Sequence, residues 1–290
     1  MKTELLDVLT SSIDDFTKLQ NAVTLDTVHG PLIHINNGGK VLGVGHLDWV
    51  KFNPQPIIKG TKVLQTPQLD DRLGVFVLLH ILPQLTNTPY DILLCDSEEI
   101  GQSTAQHFRP DKEYNWIFEF DRRGTDVVTY DYSSPEWDYL FEQYGFELGY
   151  GSFSDISMLE SILKVKGVNI GTGYHKEHTN ECYAELKDTL SNAKKFSKFL
   201  TDFADKKYSH EPKPKHIYKY ANYYQYQSYH DEYDKYDGYD WVDMDAEIYE
   251  GDIFVRCSFC MEDFTYHKGW QYCPFCSTMF DDNDKFYQYE

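Results

Sequence analysis

The sequence lacks any apolar run long enough to cross a membrane as a helix. Its first residues, Met1-Lys2-Thr3-Glu4, carry an acid early and lack the apolar segment of a signal peptide. We therefore expect neither a membrane span nor a secretion signal.

Basic residues are also scarce. The chain has 27 Lys and Arg against 47 Asp and Glu, which gives a formal net charge of −20 over 290 residues. Such a surface repels phosphate backbones, so no nucleic acid partner is expected. Apolar residues make up 41% of the chain, enough for one substantial core and a smaller appendage.

Only six cysteines occur, and four of them form two close pairs. Cys257 and Cys260, and then Cys273 and Cys276, are each separated by two residues, with twelve residues between the pairs. Without a secretion signal, this spacing predicts a structural zinc ion bound by four thiolates rather than disulfides. A reducing, cytoplasmic location fits this interpretation.

The cysteine module resembles a zinc ribbon. It carries several acids and few bases, for example Glu262, Asp263 and Asp281, so protein contact or oligomer formation is favoured over nucleic acid binding. Tyrosine, aspartate and lysine dominate the segment before it, which indicates a solvated linker. The alternative is an aromatic strip that packs on the rest of the protein or on a partner. The predicted division is a catalytic domain at 1–206, a linker at 207–251, and the ribbon with an acidic tail at 252–290.

Hydrophobic periodicity predicts alternating helices and strands through the first 206 residues. The predicted helices are 2–20, 72–82, 101–108, 135–144, 154–163 and 184–206. The predicted strands are 31–35, 41–44, 90–95, 116–120, 127–132 and 165–171. The first two strands are expected to be joined by the Asn37-Gly38-Gly39 turn, and Pro83 is expected to end the second helix. The pattern predicts an α/β three-layer sandwich with a mixed, mostly parallel sheet.

Acids and histidines recur where these strands end. His46 and Asp48 follow the second strand, Glu98 and Glu99 follow the third, and Asp121 follows the fourth. Sites form at such strand ends in α/β sheets. With Asp70 and Asp71 at a helix start, and His178 after the last strand, these residue types predict a hydrolytic centre with two zinc ions. The alternative is a solvated acidic rim.

Two pairs suggest roles directly. His46 is expected to bind a zinc ion while Asp48 supports it from behind. Neighbouring side chains in an extended segment point to opposite sides, so one of Glu98 and Glu99 would bind metal. The other would be a general base for a zinc-activated water.

The order of these motifs resembles the co-catalytic di-zinc exopeptidases, which include zinc aminopeptidases, tetrahedral aminopeptidases and peptidase T-like enzymes. The resemblance covers residues 30–200, and implies a phosphorylase/hydrolase-like fold. It rests on a set of short motifs: His-x-Asp at His46, Asp-Asp-Arg-x-Gly at Asp70, Glu-Glu-x-Gly at Glu98, Asp121, and His-Thr-x-Glu at His178.

This resemblance implies a role for each position. Asp70 would bridge both ions, joined to Asp71 by a cis peptide bond, and Glu98 would be the base. The first ion would also be bound by His46 and Asp121. The second would also be bound by Glu99 and His178, with His175 as the alternative to His178. Cobalt or manganese could replace zinc.

The chain departs from these families in two intervals. Only 23 residues separate His46 from Asp70, where tetrahedral aminopeptidases carry a large insertion. Only 56 residues separate Asp121 from His178, where peptidase T relatives carry a lid or dimerisation domain. The expectation is a bare catalytic core.

Two further motifs have alternative interpretations. Ser154-Asp155-Ile156-Ser157 resembles a loop beside the metals in the family, but Ser and Asp also cap helices. Arg122 and Arg123 could hold a substrate carboxylate, although ion pairs with nearby acids are favoured.

The predicted function is a metal-dependent exopeptidase acting on a peptide, with aminopeptidase activity favoured. One alternative keeps the centre but acts on acylated amino acids, as a deacylase, or as a carboxypeptidase. Another is a non-catalytic binding protein that retains the fold. Formation of a homo-oligomer, or protein contact through the ribbon, is also expected.

Overall fold

The computed structural model describes residues 2–151 and 153–212, and the backbone of 253–256 and 263–266. The chain divides into two compact units, Met1–Pro212 and Lys213–Glu290. All candidate site residues outside the cysteine module lie in the first unit.

The first unit contains two sheets. In chain order its strands are β1 (Ala22–Thr27), β2 (Gly30–Ile35), β3 (Val41–His46), β4 (Ile57–Lys59), β5 (Lys62–Leu64), β6 (Asp91–Cys95), β7 (Trp116–Arg122), β8 (Val127–Val128), β9 (Gly167–Gly171), β10 (Tyr174–His175) and β11 (Tyr183–Glu185). Seven of them form the main sheet in the order β1-β2-β6-β3-β7-β9-β8, and the other four form a small sheet in the order β10-β11-β5-β4. In the second unit, β12 (Ile253–Arg256) pairs antiparallel with β13 (Asp263–Tyr266).

The centre of the main sheet is parallel. Strands β6, β3, β7 and β9 pair in parallel, whereas the pairings at both edges are antiparallel. The predicted mixed α/β sheet is confirmed.

Helices cover both faces of this sheet. They are α1 (Lys2–Thr10), α2 (Ile13–Phe16), α3 (Leu69–Phe76), α4 (Leu82–Leu85), α5 (Pro135–Gln143), α6 (Asp155–Leu163) and α7 (Leu186–Phe203). Side chains alternate across β7: Trp116 and Phe118 join the core that contains α1, α3, α5 and α7, whereas Ile117 joins the core under α6. The three predicted layers are therefore present.

The predicted hairpin between the first two predicted strands is wrong. Strand β6 lies between β2 and β3, so these two strands are not paired. The backbone amides of Asn37 and Gly39 instead donate to Oδ1 of Asp91, each at 2.9 Å. The Asn-Gly-Gly turn is thus bound to the first residue of β6. The Asp91 carboxylate accepts the hydrogen bonds that a partner strand would accept in a hairpin.

Several predicted helices also differ from the structure. The helix predicted at 72–82 begins at Leu69, continues through a π-helical turn at Val77–Ile81, and ends at Leu85. Pro83 does not end it, because the π-helical turn precedes the proline and the carbonyl oxygen of Leu78 accepts from the hydroxyl of Tyr90 at 2.6 Å instead of from a backbone amide at position 83. The helix predicted at 101–108 is a 3₁₀ turn at Thr104–His107.

Two more boundaries differ. The strand predicted at 127–132 ends at Val128 and is followed by a 3₁₀ turn at Tyr130–Tyr132. The helix predicted from Ala184 begins at Leu186, because Ala184 pairs with Val63 in the small sheet.

The interval between His46 and Asp70 contains the β4–β5 hairpin. It extends the small sheet through pairing of β5 with β11. No helix among the described residues has the length and apolarity that a membrane span needs.

Asp91 is the main polar anchor at the opposite end of the sheet from the candidate site. Its carboxylate is fully buried and is contacted by His34, Lys112 and Tyr114. Burial alone would raise its pKa, but the bonds from these three side chains outweigh burial and hold the pKa of Asp91 well below its usual value. The ionised carboxylate therefore stabilises the fold at neutral pH.

We expect Asp91→Asn to lower the free energy of unfolding by about 3 kcal/mol at pH 7. The carboxamide must turn its NH2 group, which cannot accept, either towards Lys112 and Tyr114 or towards the two backbone amides of the Asn-Gly-Gly turn. Asp205→Asn, which removes an exposed ion pair with Lys40, should cost less than about 1 kcal/mol. Urea unfolding measures both. Since the folded pKa of Asp91 is depressed, the difference from wild type should shrink only as the pH falls below about 4. Equal stability of the two variants would contradict this role.

Candidate metal centre

Three neighbouring parallel strands deliver most of the candidate ligands. His46 is the last residue of β3, Asp121 lies near the end of β7, and Glu98 and Glu99 follow β6. Because β6, β3 and β7 are adjacent and parallel, their carboxyl ends meet at one edge of the sheet. Nε2 of His46 lies 3.6 Å from Oδ1 of Asp121 and 3.8 Å from Oε2 of Glu98.

Asp70 lies between the two imidazoles. Its Oδ1 is 3.4 Å from Nε2 of His46, and its Oδ2 is 3.2 Å from Nε2 of His178. The carboxylate thus presents one oxygen to each histidine. The peptide bond to Asp71 is cis, as the resemblance implied.

His178 also contacts Glu99. Its Nε2 is 3.0 Å from Oε2 of Glu99. His175, the alternative ligand, instead packs its ring on Tyr183 in the small sheet, with 5.2 Å between centroids. The geometry therefore favours His178 as the histidine next to the bridging position.

Asp48 organises the loop of the two glutamates. It accepts from the amide of Glu98 at 3.2 Å and from the amide of Glu99 at 3.0 Å. Its Oδ1 also lies 3.3 Å from Nδ1 of His46. A carboxylate behind a metal-binding histidine commonly orients the ring in this way.

Glycines let Asp71 approach this centre. A Cβ on Gly45 would lie 2.8 Å from Oδ2 of Asp71, and a Cβ on Gly74 would overlap Oδ1 of Asp71 and the carbonyl oxygen of Phe120. Both positions therefore require glycine for close packing. The amide of Gly74 donates to Asp71 at 3.2 Å.

Arg72 ties the centre to the N-terminal helices. Its side chain is fully buried, with the guanidinium carbon 4.7 Å from the ring centroid of Phe16 and 4.6 Å from that of Trp49. It donates to the carbonyl oxygens of Leu47 and Val8 at 2.8 and 3.2 Å. Arg72 thus fixes the loop that carries Asp48.

The other two arginines near Asp121 are held in ion pairs. Arg122 donates to both carboxylate oxygens of Asp126 at 2.8 Å, and Arg123 donates to Glu177 at 2.7 Å. This arrangement agrees with the ion-pair interpretation of both residues.

The Ser154 motif serves two purposes. Ser154 is the N-cap of α6, whereas Asp155 is fully buried and accepts from Ser103. Burial raises the pKa of Asp155 to about 6, against a lowering influence of His46.

Sequence reasoning missed Glu119 and Asn169, which are both fully buried behind Asp121. Nδ2 of Asn169 lies 3.3 Å from Oε2 of Glu119. Each interrupts an apolar run, Glu119 within residues 116–120 and Asn169 within Gly167–Gly171, which is a signal that the sequence carries.

The electrostatics of the pocket favour positive charge. Burial raises the pKa of Glu98 and of Asp121 well above the usual values, and nearby carboxylates raise both further. Hydrogen bonds to Asp70 and Glu99 raise the pKa of His178 to about 10. The raised pKa values of the two acids and of the histidine have one cause: many carboxylates share a buried space with few cations.

The residues fit divalent metal ions. One donor atom each from His46, Asp70 and Glu99 lies within 4.8 Å of the others. Two ligands of a tetrahedral zinc ion are about 3.3 Å apart, given bonds of about 2.0–2.1 Å, and Asp70 is 3.4 Å from His46 and 3.2 Å from His178. The buried Nε2 of His46 and Oε1 of Glu99 also lack hydrogen-bond partners. Such atoms are expected where an ion binds.

The predicted ribbon ligands Cys257, Cys260, Cys273 and Cys276 lie outside the described residues. The ribbon and its zinc ion therefore stay predictions.

Comparisons with known proteins identify a similar peptidase family. Residues 36–121 match the model of the M42 glutamyl aminopeptidase family. Among curated proteins, no sequence matches the chain. The match and the fold together confirm the resemblance to the co-catalytic exopeptidases, and with it the prediction of a metallopeptidase.

Solved structures share the fold at low sequence identity. A tripeptidase from Staphylococcus aureus is 10% identical, with 70% of this chain and 97% of that chain covered and a TM-score of 0.51. The TET1 peptidase of Pyrococcus horikoshii, described as able to assemble into a tetrahedron or a large octahedral shell, is 12% identical. There 70% of this chain and 99% of that chain are covered, with a TM-score of 0.50.

We expect metal binding at pH 7.5 to release a proton from His178, because its imidazole is protonated in the metal-free protein and must be neutral to bind a metal ion. The affinity should therefore rise with pH up to about 10. Calorimetry in buffers of different ionisation enthalpy counts the protons. His178→Ala should lose this proton and weaken binding, whereas His175→Ala should match the wild type. The reverse result would make His175 the ligand.

Proposed function

We propose that this chain is an aminopeptidase of the co-catalytic exopeptidase type, which uses two divalent ions and Glu98 as its general base. The match of residues 36–121 to the M42 glutamyl aminopeptidase family supports exopeptidase activity. The finer proposal, the choice of the amino terminus, rests on the charge of the pocket.

The single observation that carries this choice is the surplus of carboxylates. Eight carboxyl groups influence one another's ionisation in the pocket: Asp48, Asp70, Asp71, Glu98, Glu99, Glu119, Asp121 and Asp155. Two divalent ions supply four positive charges and Arg72 supplies one, so eight potential negative charges face five positive ones. A pocket that stays acidic after metal binding attracts a protonated α-amine and repels a free carboxylate.

The arginines support the same choice. A carboxypeptidase, or a deacylase acting on acyl amino acids, needs a cation for the substrate carboxylate. Arg122 and Arg123 are the basic residues nearest to Asp121 in sequence, and both are paired with acids, Asp126 and Glu177. Both guanidinium groups are engaged in these ion pairs.

The proposed ligands divide into two sets. His46 and Asp121 would hold the first ion, Glu99 and His178 would hold the second, and Asp70 would contribute to both. When bound, the ions lower the pKa of a water molecule and polarise the carbonyl of the scissile bond.

Glu98 and Asp48 act around the ions. The carboxylate of Glu98 is 14% exposed at the side chain and lies 3.8 Å from Nε2 of His46, so it borders the ligands. It takes the proton from the attacking water and passes it to the leaving amine. Asp48 keeps Glu98 and Glu99 in their loop positions through the two amide hydrogen bonds.

We also propose that the native metal is zinc and that the four cysteines bind a further zinc ion. A cytoplasmic location and assembly into a homo-oligomer are proposed as well. The assembly described for the Pyrococcus horikoshii peptidase supports the last of these. The acidic composition of the chain supports a protein rather than a nucleic acid partner for the ribbon.

We expect leucine p-nitroanilide to be cleaved and N-acetyl-leucine p-nitroanilide to be cleaved at least about 30-fold less efficiently in kcat/KM. Losing one partner of a buried charge pair costs about 2 kcal/mol or more. Chromogenic assays of the metal-loaded protein measure both substrates. Equal or preferred cleavage of the acetylated anilide would contradict the aminopeptidase. Release of acetate from N-acetyl-leucine would support the deacylase alternative instead, and cleavage of peptides only at a free carboxyl end would support the carboxypeptidase alternative.

We expect Glu98→Gln to keep the wild-type metal content and to lower kcat by about 10²- to 10⁴-fold, because the amide cannot accept the proton. Glu99→Ala should instead lose one metal ion per chain. Metal analysis by mass spectrometry and steady-state kinetics separate the two effects. Glu113→Gln, at an exposed ion pair with Lys207, serves as the control and should match the wild type in both. Full activity of Glu98→Gln would show that Glu98 is not the base.

A further inference from the structure

A β-bulge places Asp121 at the centre. Along the β7–β9 pair, Glu119 is opposite Asn169, but the next pairing is Arg122 with Gly171. Two residues of β7, Phe120 and Asp121, therefore face one residue of β9. Such a bulge turns side chains and leaves backbone groups outside the regular ladder.

The side chain of Asn169 binds the backbone of the bulge. Its Oδ1 accepts from the amide of Asp121 at 3.0 Å, and its Nδ2 donates to the carbonyl oxygen of Asp121 at 2.9 Å. The carboxamide thus provides the amide and the carbonyl of Asp121 with the hydrogen-bond partners that a neighbouring strand would otherwise supply. Asn169 is fully buried, so water cannot easily replace it.

The orientation of this carboxamide is itself fixed. Nδ2 of Asn169 also lies 3.1 Å from the hydroxyl of Tyr130 and 3.3 Å from Oε2 of Glu119. Because the backbone N–H of Asp121 can only donate and its carbonyl oxygen can only accept, the carboxamide oxygen of Asn169 faces the amide and its nitrogen faces the carbonyl. The network permits one orientation of Asn169, and hence one position for the backbone of Asp121.

The carboxylate of Asp121 depends on this position. From the bulge it reaches Nε2 of His46 at 3.6 Å, and its Oδ1 accepts from the hydroxyl of Tyr174 at 3.3 Å. Shifts of well under 1 Å matter for a metal ligand, whose bond lengths vary by only about 0.2 Å.

We propose that Asn169 is a positioning residue, which fixes the Asp121 bulge so that the Asp121 carboxylate can bind the first ion. The inference rests on the proposed metal-dependent function, because it assigns Asn169 to one of the two proposed ion sites. It predicts a selective defect: removing the Asn169 carboxamide weakens the ion held by His46 and Asp121, and spares the ion held by Glu99 and His178.

The matched control is Asn192, on α7. It is also buried and donates to two backbone carbonyl oxygens, of Thr125 at 2.9 Å and of Gly171 at 2.8 Å. Asn169→Leu and Asn192→Leu therefore each remove a buried carboxamide that binds two or more backbone or side-chain groups. Of the two side chains, only that of Asn169 forms hydrogen bonds with Asp121.

The test titrates Mn²⁺ into the full chain after metal removal, with free Mn²⁺ followed by electron paramagnetic resonance. Mn²⁺ favours carboxylate ligands over thiolates, so the cysteine module contributes little to the signal. The wild type should bind two ions. Asn169→Leu should bind one with unchanged affinity and the other about 10- to 100-fold more weakly, as for other partners that orient a metal ligand. Asn192→Leu should bind both as the wild type does.

A second measurement separates positioning from general destabilisation. Raising the Mn²⁺ concentration should restore the kcat of Asn169→Leu towards the wild-type value, whereas any defect of Asn192→Leu should not depend on metal concentration. If Asn169→Leu does not fold, Asn169→Ala is used, with a smaller expected weakening because water can enter the space. Wild-type affinity for both ions in the folded Asn169 variant would overturn the inference. Failure of the wild type itself to bind two ions would instead overturn the proposed function.

Discussion

The carboxylate of Asp70, which presents one oxygen to His46 and the other to His178, is the interaction on which the candidate centre depends. Asp70 is 6% exposed and is surrounded by other acids. Buried carboxylates at this density repel one another unless cations lie between them. The other features of the pocket follow from this requirement: unpartnered nitrogen and oxygen atoms, raised pKa values for Glu98 and Asp121, and a histidine whose pKa is raised to about 10.

Backbone geometry, as well as charge, holds the mutually repelling carboxylates in place. Parallel pairing of β6, β3 and β7 brings three strand ends together, and one polar side chain then fixes each ligand loop. Asp48 holds the amides of Glu98 and Glu99, and Asn169 holds the bulge at Asp121. Because these fixing groups bind the backbone, they set the directions of the ligands before any ion is present.

The acidity of the pocket also bears on selectivity. Carboxylates in excess of the charge of two divalent ions favour a substrate that brings a positive charge, which an α-amine does. The interval between His46 and Asp70 lacks the insertion of the tetrahedral aminopeptidases. Its secondary structure is the β4–β5 hairpin, which joins the small sheet beside β11. The first unit accordingly carries few additions around the candidate centre, and in the proposed function substrate recognition rests on charge and on short loops.

The sequence by itself determined the α/β class, the layer order and the residue types at the strand ends, because period-2 and helical patterns of apolar residues depend on local geometry. His46, Asp70, Glu98, Glu99, Asp121 and His178 were found this way, with the help of a family resemblance. Local patterns could not predict the strand order. The Asn37-Gly38-Gly39 turn was predicted to close a hairpin. In the structure, the carboxylate of Asp91, about 50 residues away in sequence, binds this turn to β6 instead. Likewise, the register shift that makes Asn169 a partner of Asp121 arises from the pairing of strands about 50 residues apart. Tertiary structure alone decided these points, because each depends on contacts between residues that no local pattern relates.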